Sequence, residues 1–472
     1  MFDRAKKHLT IQMLASLDPV KLNNISQNRA LKAFEKTALK VPAYSRFLKE
    51  KDVSAASVRT IEDFKKYVPV IDKDKTFRLY SREIKKLCLL DEIKDASMIV
   101  SSSGYSGSFS YGINTQKEIE KSQEAIDFVL DYIFNVSEKK TLLINCLAMG
   151  VRIHSALVTV VDTSVRPDIV IGVIRTFSPC YDQIILVGEN SFVKKVLEDG
   201  IEEGLDWKRI KLHMVLGEEI LPENLRTYFA DILGINPDEE NCSSLIGSSF
   251  GVAEFGLNIF YETSELIRIR RLMHRDKKLK KALIGRDLDN LPVLFQYNPM
   301  RVYVEDIPKD NGLSDIVLTN LEEDTNIPLV RYNIEDEGMG ISFQQLKDTL
   351  ESCGYGSYVP RIRLPLAAIW GRDKLMLEEG FAVRPEFVKE LLYQDKNIAS
   401  GITGNFRLSI SKAGLRIEIQ AKQDGNRSIE FESKIRNILL DNIPARTEII
   451  IYPYHDFPHG MELNYERKFR YI

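Results

Sequence analysis

Short apolar runs alternate with helical patterns over residues 140–234, and this alternation limits the possible folds more than any other feature. The runs KTLLINCL, DQIILVGE and IKLHMVLGEE are typical of strands, and the segments SFVKKVLEDGIEEG and PENLRTYFADILG have the periodicity of amphipathic helices. Strands that alternate with helices favour a sheet covered by helices. We therefore predict an α/β fold for this part of the chain.

The last hundred residues follow a different pattern. GNFRLSISKAGLRIEIQA alternates like a hairpin, SIEFESKIRNILLDNI has helical periodicity, and TEIIIYPY is typical of a strand. This order predicts a small α+β domain after a break near WGRDK, residues 370–374. A chain of 472 residues is too long for one ordinary compact domain. We expect one domain over residues 1–371 and a second over residues 372–472.

Composition narrows the class of protein. A hydrophobic content of 44% and a charged content of 28% are typical of a soluble globular protein, and a net charge of −3 gives no general affinity for nucleic acid or acidic membranes. The sequence has no apolar run long enough for a membrane span and no apolar core of a signal peptide, so we expect a cytoplasmic location. The five cysteines form no C-x-x-C pair, which argues against a zinc ribbon or a disulfide scaffold. The oligomeric state cannot be deduced from these features.

A loop rich in serine and glycine, IVSSSGYSGSFSYG at 99–112, follows an apolar strand pattern. Small residues let backbone N–H groups crowd around an anion, so the loop is a candidate for phosphate binding. It matches neither the P-loop pattern nor the dinucleotide pattern, and it contains no lysine or arginine. A flexible surface turn is the alternative. If the loop binds phosphate, the compensating charge must come from elsewhere in the chain.

Four further segments follow the loop in order: SSFGVAEFG at 248–256, IPLVRYNIEDEG at 327–338, WGRDKLMLEEGFAVRPEFVKELL at 370–392 and the terminal NYERKFRYI. Together with SSSGYSG, they resemble the motifs of the acyl-adenylate-forming enzymes, which include acyl- and aryl-CoA ligases. VPAYSRFLKEKDVSAASVRTIEDFKKYVPVIDKD and LPVLFQYNP resemble the phenylacetate–coenzyme A ligase branch of that superfamily. The resemblance covers nearly the whole chain. It implies a large N-terminal adenylate-forming domain with helix-covered β-sheets and a small, mobile α+β C-terminal domain.

The resemblance also implies an activity. Enzymes of this kind use ATP and Mg²⁺ to convert a carboxylic acid, here an aryl or fatty acid, into an acyl-adenylate with release of pyrophosphate, and then transfer the acyl group to coenzyme A. Two alternatives stay open. The enzyme could load the phosphopantetheine of an acyl carrier protein or form an amide, or the chain could be a catalytically weak, nucleotide-binding interaction module. Failure to exchange pyrophosphate would favour the last alternative.

Nucleotide-binding residues follow from matching the motifs to this sequence. The resemblance implies that Phe250 stacks on adenine, that the next residue, Gly251, also contacts ATP, that Glu254 binds Mg²⁺, and that Asp336 accepts hydrogen bonds from the ribose. The implied phosphate loop consists of Ser102, Ser103, Gly104, Ser106 and Gly107. A hard cation such as Mg²⁺ suits a carboxylate, and an ionised carboxylate is an acceptor-only group suited to ribose hydroxyls.

Charged residues complete the implied site. Arg331 is expected beside the phosphates and ribose, and Arg372 is expected to contact the nucleotide. Lys468 is the implied catalytic lysine of the small domain, and the next candidates are Lys412 and Lys422. The hinge motif is one residue shorter than usual, so the hinge is assigned to Asp373 or Lys374.

Several positions depart from the superfamily pattern or leave a choice open. Glu335 stands where a glycine usually precedes Asp336, and Ala253 replaces a hydroxyl residue before Glu254. The segment 147–158 is expected to line the acyl pocket, with His154 either lining it or buried in the core. The basic run 268–281 is interpreted as a solvated helix face. Contact with the phosphates of coenzyme A, with an acidic carrier protein or with nucleic acid is the alternative.

Overall fold

The computed structural model describes residues 11–102, 104, 107–285, 290–309, 313–377, 381–412, 414–423, 425, 428–460 and 465–472. None of the helices in these ranges is long and apolar enough to cross a membrane.

The N-terminal part is helical, as expected. Helix α1 spans Pro19–Lys40, α2 spans Pro42–Glu50 and α3 spans Ile61–Tyr67. Asp18 caps α1, and Pro42 occupies the first turn of α2, where the missing N–H of proline costs no hydrogen bond. This proline therefore marks the boundary between α1 and α2.

The loop rich in serine and glycine joins two strands. Strand β1, Ala96–Ser101, pairs antiparallel with β2, Tyr111–Thr115, and helix α4, Gln116–Phe134, follows at once. The first turn of α4 has a capping box, in which the Glu118 N–H donates to Thr115 Oγ1 at 3.2 Å and the Thr115 N–H donates to Glu118 Oε2 at 2.8 Å. The hairpin is thus anchored directly to α4.

A large sheet forms the centre of the molecule. Among the described residues it has 11 strands in the order β10-β11-β12-β13-β9-β8-β7-β6-β5-β3-β4. Their bounds are β3 Thr141–Asn145, β4 Thr159–Asp162, β5 Gln183–Glu189, β6 Leu212–Gly217, β7 Ile246–Val252, β8 Gly256–Tyr261, β9 Val293–Tyr297, β10 Val302–Pro308, β11 Ser314–Asn320, β12 Tyr332–Ile341 and β13 Leu366–Gly371. Strands β3 to β7 pair in parallel, and the strands beyond β7 pair antiparallel.

Helices cover this sheet. They are α5 Pro167–Phe177, α6 Asn190–Glu202, α7 Glu223–Leu233, α8 Ser264–Arg275, α9 Lys277–Ile284 and α10 Phe343–Ser352. The predicted alternation of strands and helices is confirmed for β3, β5, α6, β6 and α7. Parallel neighbouring strands need a crossover connection, and the amphipathic helix α6 provides it between β5 and β6.

The C-terminal residues form a separate unit, with one two-stranded sheet, one three-stranded sheet and its own hydrophobic core. The elements are β14 Leu375–Met376, β15 Ala382–Val383, α11 Pro385–Leu392, α12 Lys396–Gly401, β16 Ile402–Ser411, β17 Gly414–Ala421, α13 Ile429–Asn442 and β18 Thr447–Tyr452. β16 and β17 form the predicted hairpin, and β18 pairs in parallel with β17. The predicted fold class, a helix-covered sheet followed by a separate α+β unit, is confirmed.

One buried hydrogen bond and one buried ion pair join the C-terminal unit to the N-terminal part of the chain. The ammonium of Lys194 on α6 donates to Glu198 at 2.6 Å and to the carbonyl oxygen of Ile402 at 2.8 Å. Lys389 on α11 pairs with Glu219, which follows β6, and both side chains are buried. These contacts hold the C-terminal unit against the carboxyl ends of β5 and β6.

Candidate active site

A cavity of about 330 Å³ lies where the β1–β2 hairpin, the carboxyl ends of the sheet strands and the C-terminal segment meet. Its polar part is lined by Lys73, Ser102, Ser110, Glu218, Glu254, Asp336, Arg372 and Lys468. Its apolar part is lined by Ile126, Leu130, Ile133, Phe134, Leu143, Leu147, Val187, Val215 and Leu245, which pack as one cluster. A few charged groups beside an apolar recess are typical of a site for a small molecule.

Ser102 places the hairpin loop at the cavity. Its Oγ accepts from the Ser110 N–H at 3.0 Å, and its own N–H donates to the Ser110 carbonyl oxygen at 2.9 Å. Gly104 has a φ of +67°, and a Cβ there would lie 2.7 Å from the ring of Phe109, so the turn requires glycine. The Gly107 N–H closes the turn on Gly104 at 2.9 Å. The other two residues assigned to the loop, Ser103 and Ser106, lie outside the described residues.

Lys73 brings a cation to this loop, and the sequence analysis missed it. Its ammonium lines the cavity and donates to Ser102 Oγ at 3.3 Å. Burial lowers the pKa of Lys73, and the carboxylates of Glu254 and Glu335 oppose that shift. The lysine precedes Ser102 by 29 residues in the chain, so no local pattern connects the two. Lys73 lies in the segment PVIDKD, which is part of the sequence that resembles the phenylacetate–coenzyme A ligase branch, and this was the only sequence feature that pointed to it.

Glu254 lies in the turn between β7 and β8 and lines the cavity. The hydroxyl of Tyr332, the first residue of β12, donates to Glu254 Oε1 at 2.7 Å. Burial, followed by the charge of Glu254, raises the pKa of Tyr332, so the phenol stays protonated and remains a donor. The hydrogen bond joins two of the segments on which the resemblance rests. It fixes one oxygen of the carboxylate and leaves the other available.

Phe250 and Gly251, at the end of β7, also line the cavity. The Phe250 ring packs against Phe260 and Phe295 with centroid distances of 5.7 and 6.1 Å. One side of the ring is therefore supported by the core while the residue borders the cavity. This arrangement suits a stacking platform, because a rigid aromatic face needs no hydrogen bond to hold a planar ligand.

Asp336 reaches the cavity through a bulge in β12. Three residues, Ile334–Asp336, stand opposite the single Ile316 of β11, and extra residues of this kind change the direction of a side chain. Glu335 has a φ of +67°, which explains why glycine is usual at this position. Asp336 is 5% exposed and accepts from Arg372 at 3.0 Å, and its charge raises the pKa of Arg372.

Arg331 requires a correction. The sequence analysis placed it beside the phosphates, but its guanidinium points into the fold and is not among the described residues that line the cavity. It pairs with Glu305 at 3.2 Å and donates to the carbonyl oxygens of Lys65 and Val68. A buried guanidinium with a carboxylate and carbonyl partners is a structural link between β12 and the segment that follows α3.

The two hinge candidates follow β13. Gly371, which ends that strand, has a φ of +86°. Lys374 donates to Glu337 at 2.5 Å, and Arg384 and Lys309 pair with the same carboxylate. Burial would raise the pKa of Glu337, but the three hydrogen bonds lower it to about 2. Lys374 is therefore tied to β12, whereas Asp373 lies close enough to Arg372 to raise its pKa.

Lys468 extends from the C-terminal segment to the wall of the cavity, where Glu218 also lies. Burial raises the pKa of Glu218, and the charge of Lys468 lowers it. The other lysines named from the sequence lie elsewhere. Lys412 is exposed in the β16–β17 hairpin, and Lys422 pairs with Glu202 at 2.6 Å. Of the three candidates, only Lys468 is placed at the cavity among the described residues.

The segment 147–158 contributes to the apolar part as expected. Leu147, Met149, Val151 and Ile153 line the cavity at every second position. His154 is exposed, so neither of the positions considered for it applies.

The basic run 268–281 is only partly a solvated face. Arg270 is buried against Glu223 at 2.8 Å, and Arg271 and Arg275 pair with Asp238 at 2.6 and 2.9 Å. Lys277, Lys278 and Lys281 are exposed. Arginines of α8 therefore support the fold, while the lysines of α9 face solvent.

A magnesium site made by the protein alone is not present in the described part of the chain, where no three His, Cys, Asp or Glu side chains are grouped to hold a metal. Mg²⁺ commonly binds to one or two carboxylates together with substrate phosphates. Glu254, whose carboxylate is fixed by Tyr332 beside the Ser102 loop, fits that arrangement.

Comparison with known proteins supports the fold. No family model matches the chain, and no curated protein matches it. The crystal structure of 2-hydroxyisobutyryl-CoA ligase in the postadenylation state, in complex with R3-HIB-AMP, is similar over 98% of this chain and 91% of that chain, with 13% identity and a TM-score of 0.70. The same ligase with 2-HIB-AMP and CoA in the thioesterification state is similar over 95% and 90%, with 13% identity and a TM-score of 0.57. The overall fold of this chain is therefore that of these acyl-CoA ligase structures.

Proposed function

We propose that the protein is an ATP-dependent, AMP-forming acid–thiol ligase that converts an aryl or fatty acid into a thioester of coenzyme A. One observation carries the proposal: a single cavity joins a polar part, with the Ser102 loop, Glu254, Asp336 and Lys468, to an apolar recess. A nucleotide fits the first part and the apolar portion of an acid fits the second. The similarity to solved CoA ligase structures supports the same assignment.

The reaction has two steps. A carboxylate oxygen of the acid attacks the α-phosphorus of ATP, and the bond to pyrophosphate breaks. The sulfur of the thiol then attacks the acyl carbon, AMP leaves, and the thiol proton passes to solvent. In the first step two anions approach each other, so the protein must supply positive charge and hold both groups in place.

Cations at the polar part supply that charge. Lys73 lies against the Ser102 loop, and Lys468 approaches the cavity from the C-terminal unit. We assign Lys73 to the β- and γ-phosphates and Lys468 to the α-phosphate. Mg²⁺, when bound by Glu254 and the phosphates, would neutralise further negative charge. Glu254 is held for this purpose by Tyr332, which prevents its second oxygen from turning away.

Asp336 and Phe250 position the nucleoside. Asp336 is buried at the cavity wall and Arg372 holds its carboxylate in place, so the remaining acceptor positions of the carboxylate can bind ribose hydroxyls. Phe250 offers an aromatic face that the core supports from behind. In this assignment, adenine selection depends on shape and stacking, and ribose binding depends on charge.

The finer parts of the proposal concern specificity and domain motion. We assign the chain to the phenylacetate–coenzyme A ligase type, place the domain boundary at residues 371 and 372, and assign the hinge to Asp373. Lys374 is less suitable as a hinge residue because Glu337 holds it on the large sheet. Rotation of residues 372–472 would withdraw Lys468 after the first step and admit the thiol.

The exchange of labelled pyrophosphate into ATP, measured across aryl and fatty acids, tests this function. Acid-dependent exchange is expected, followed by thioester formation when coenzyme A is added. Exchange that yields a thioester only with a phosphopantetheine carrier protein would support the carrier-loading alternative. ATP binding without exchange for any acid would overturn the proposed ligase activity.

A further inference from the structure

Helix α4 separates the active-site cavity from a second cavity of about 900 Å³. Ile126, Leu130 and Ile133, three and four residues apart, face the active-site cavity. Lys121, Ala125 and Phe128 face the second cavity. The two cavities therefore lie on different faces of the same helix.

Among the residues that the structure describes, two border both cavities. Val129 of α4 and Tyr261 at the end of β8 line the active-site cavity and also line the second one. Along the same face of β8, Leu257 lines the first cavity and Ile259 lines the second. At Val129 and Tyr261 the wall between the two cavities is therefore a single side chain thick.

The neighbouring loop is tied to α4 and completes the wall. Ser155 and the Ala156 N–H donate to the carboxylate of Asp127, the latter at 3.0 Å, and Asp127 is buried. Ile153 lines the active-site cavity, whereas Ala156 lines the second cavity. The loop thus crosses from one cavity to the other where Asp127 holds it against the helix.

We propose that Val129 and Tyr261 form the end wall of the acyl recess and set the longest acid that the site accepts. This inference rests on the proposed function. An acyl chain that fills the apolar recess meets this pair on the side that faces the second cavity, where the two residues line both spaces. The natural acid would therefore be compact and apolar, and would end on the active-site side of α4. The second cavity offers space for a longer chain only after the wall is reduced.

The test compares straight-chain acids from butyrate to palmitate, in pyrophosphate exchange and in calorimetric binding to the full-length protein. In the wild type, kcat/KM should rise with length while methylenes enter the recess, by about fourfold for each one buried, and fall sharply beyond the wall. Val129→Ala should move the drop to longer acids, and Val129→Phe should move it to shorter ones. Tyr261→Leu should act in the same direction as Val129→Ala.

Matched variants separate the wall from a general loosening of the fold. Ala125→Phe places a ring in the second cavity and should leave the acid range of the wild type unchanged. In the double variant, Ala125→Phe should cancel the increased activity on long acids that Val129→Ala alone produces. Circular dichroism and thermal melting identify a variant that fails to fold, and Val129→Phe then provides the independent test in the opposite direction.

The outcomes distinguish this inference from the proposed function. Acid-dependent exchange with equal activity on butyrate and palmitate, or a length limit that neither Val129 variant moves, would overturn the wall and leave the ligase activity intact. A length limit in calorimetric binding that moves as described, without any pyrophosphate exchange, would support the wall and overturn the ligase. If no acid binds to the wild type, both proposals are wrong.

Discussion

The phenol of Tyr332 donates a 2.7 Å hydrogen bond to Glu254, and so links the first residue of β12 to the turn between β7 and β8. If Glu254 holds Mg²⁺, this hydrogen bond orients the ligand. Groups that orient a metal ligand typically contribute about 10- to 100-fold to metal affinity or activity. The pair therefore allows the proposed role of Glu254 to be tested without removing Glu254 itself.

Tyr332→Phe should raise the Mg²⁺ concentration needed for half-maximal pyrophosphate exchange by about tenfold or more, because the carboxylate is no longer held in one orientation. Glu254→Gln should abolish most adenylation while the fold stays intact. Tyr303→Phe, another buried tyrosine, is the matched control and should leave the Mg²⁺ requirement unchanged. An unchanged Mg²⁺ titration in Tyr332→Phe, or near-normal exchange in Glu254→Gln, would contradict the assignment.

Asp336→Ala should weaken ATP binding by about 1.5–3 kcal/mol, the range for hydrogen bonds to a charged group. It also removes the partner of Arg372, so Asp336→Asn should be measured beside it. Asp324→Ala, a partly exposed carboxylate that pairs with Lys117, serves as the control. Calorimetry that finds unchanged nucleotide affinity in Asp336→Ala would count against the ribose assignment.

Lys73→Ala should reduce pyrophosphate exchange on the order of 100- to 1000-fold, as expected for the loss of one donor to developing negative charge. Lys75→Ala is the control, because that lysine lies two residues away and pairs with Asp72 at 2.5 Å. Rapid-quench measurement of the first turnover would separate chemistry from product release. Equal rates for the two variants would contradict the assignment of Lys73 to the phosphates.

Lys468→Ala should impair the formation of the acyl-adenylate far more than the second step, which is measured with preformed acyl-adenylate and coenzyme A. A flexible primary ammonium suits a group that must approach the phosphate and then withdraw. Arg470→Ala, an exposed cation two residues further on, is the control. If the two half-reactions fall equally, Lys468 has a structural role.

Glu386 on α11 should make the stability depend on pH. Burial raises its pKa from 4.5 to about 7, against the opposing charges of Lys389, Arg384 and Lys468. The folded protein therefore binds a proton that the unfolded chain has released between these values, and the stability contributed by this group is lost as the pH rises through about 7.

Glu386→Gln removes this titration and keeps the shape of the side chain. The variant should match the wild type near pH 5 and exceed it near pH 8 by up to about 3 kcal/mol, the equivalent of the pKa shift. Urea unfolding at the two pH values measures the difference between the proteins, in which the contributions of other titrating groups largely cancel. A difference that does not change with pH would refute the prediction.

Local patterns predicted the fold well because they reflect local physical chemistry. Thr115 and Glu118 form the capping box that their spacing indicates, and α2 begins at Pro42. The hairpin of β16 and β17 follows the alternation of apolar and polar residues. In each case the signal lies within a few residues, where backbone hydrogen bonds and side-chain periodicity act directly.

The site was less predictable because its residues meet only in three dimensions. Arg331 shares a motif with Asp336, yet a bulge separates them and Glu305 on β10 directs the arginine into the core. Lys73 reaches Ser102 across a long segment whose course no local pattern indicates. A sequence motif shows which residues occur together, but not which way each side chain points.

Helix α4 presents different residues to two spaces, and this arrangement has an evolutionary consequence. If the protein is the proposed ligase, substitutions at positions such as 126 or 129 would change the preferred acid, while the groups assigned to ATP lie on other elements. Gene duplicates could thus acquire different acid preferences through substitutions on one face of α4. The proposed adenylation chemistry and the acid preference would then evolve at separate rates within one chain.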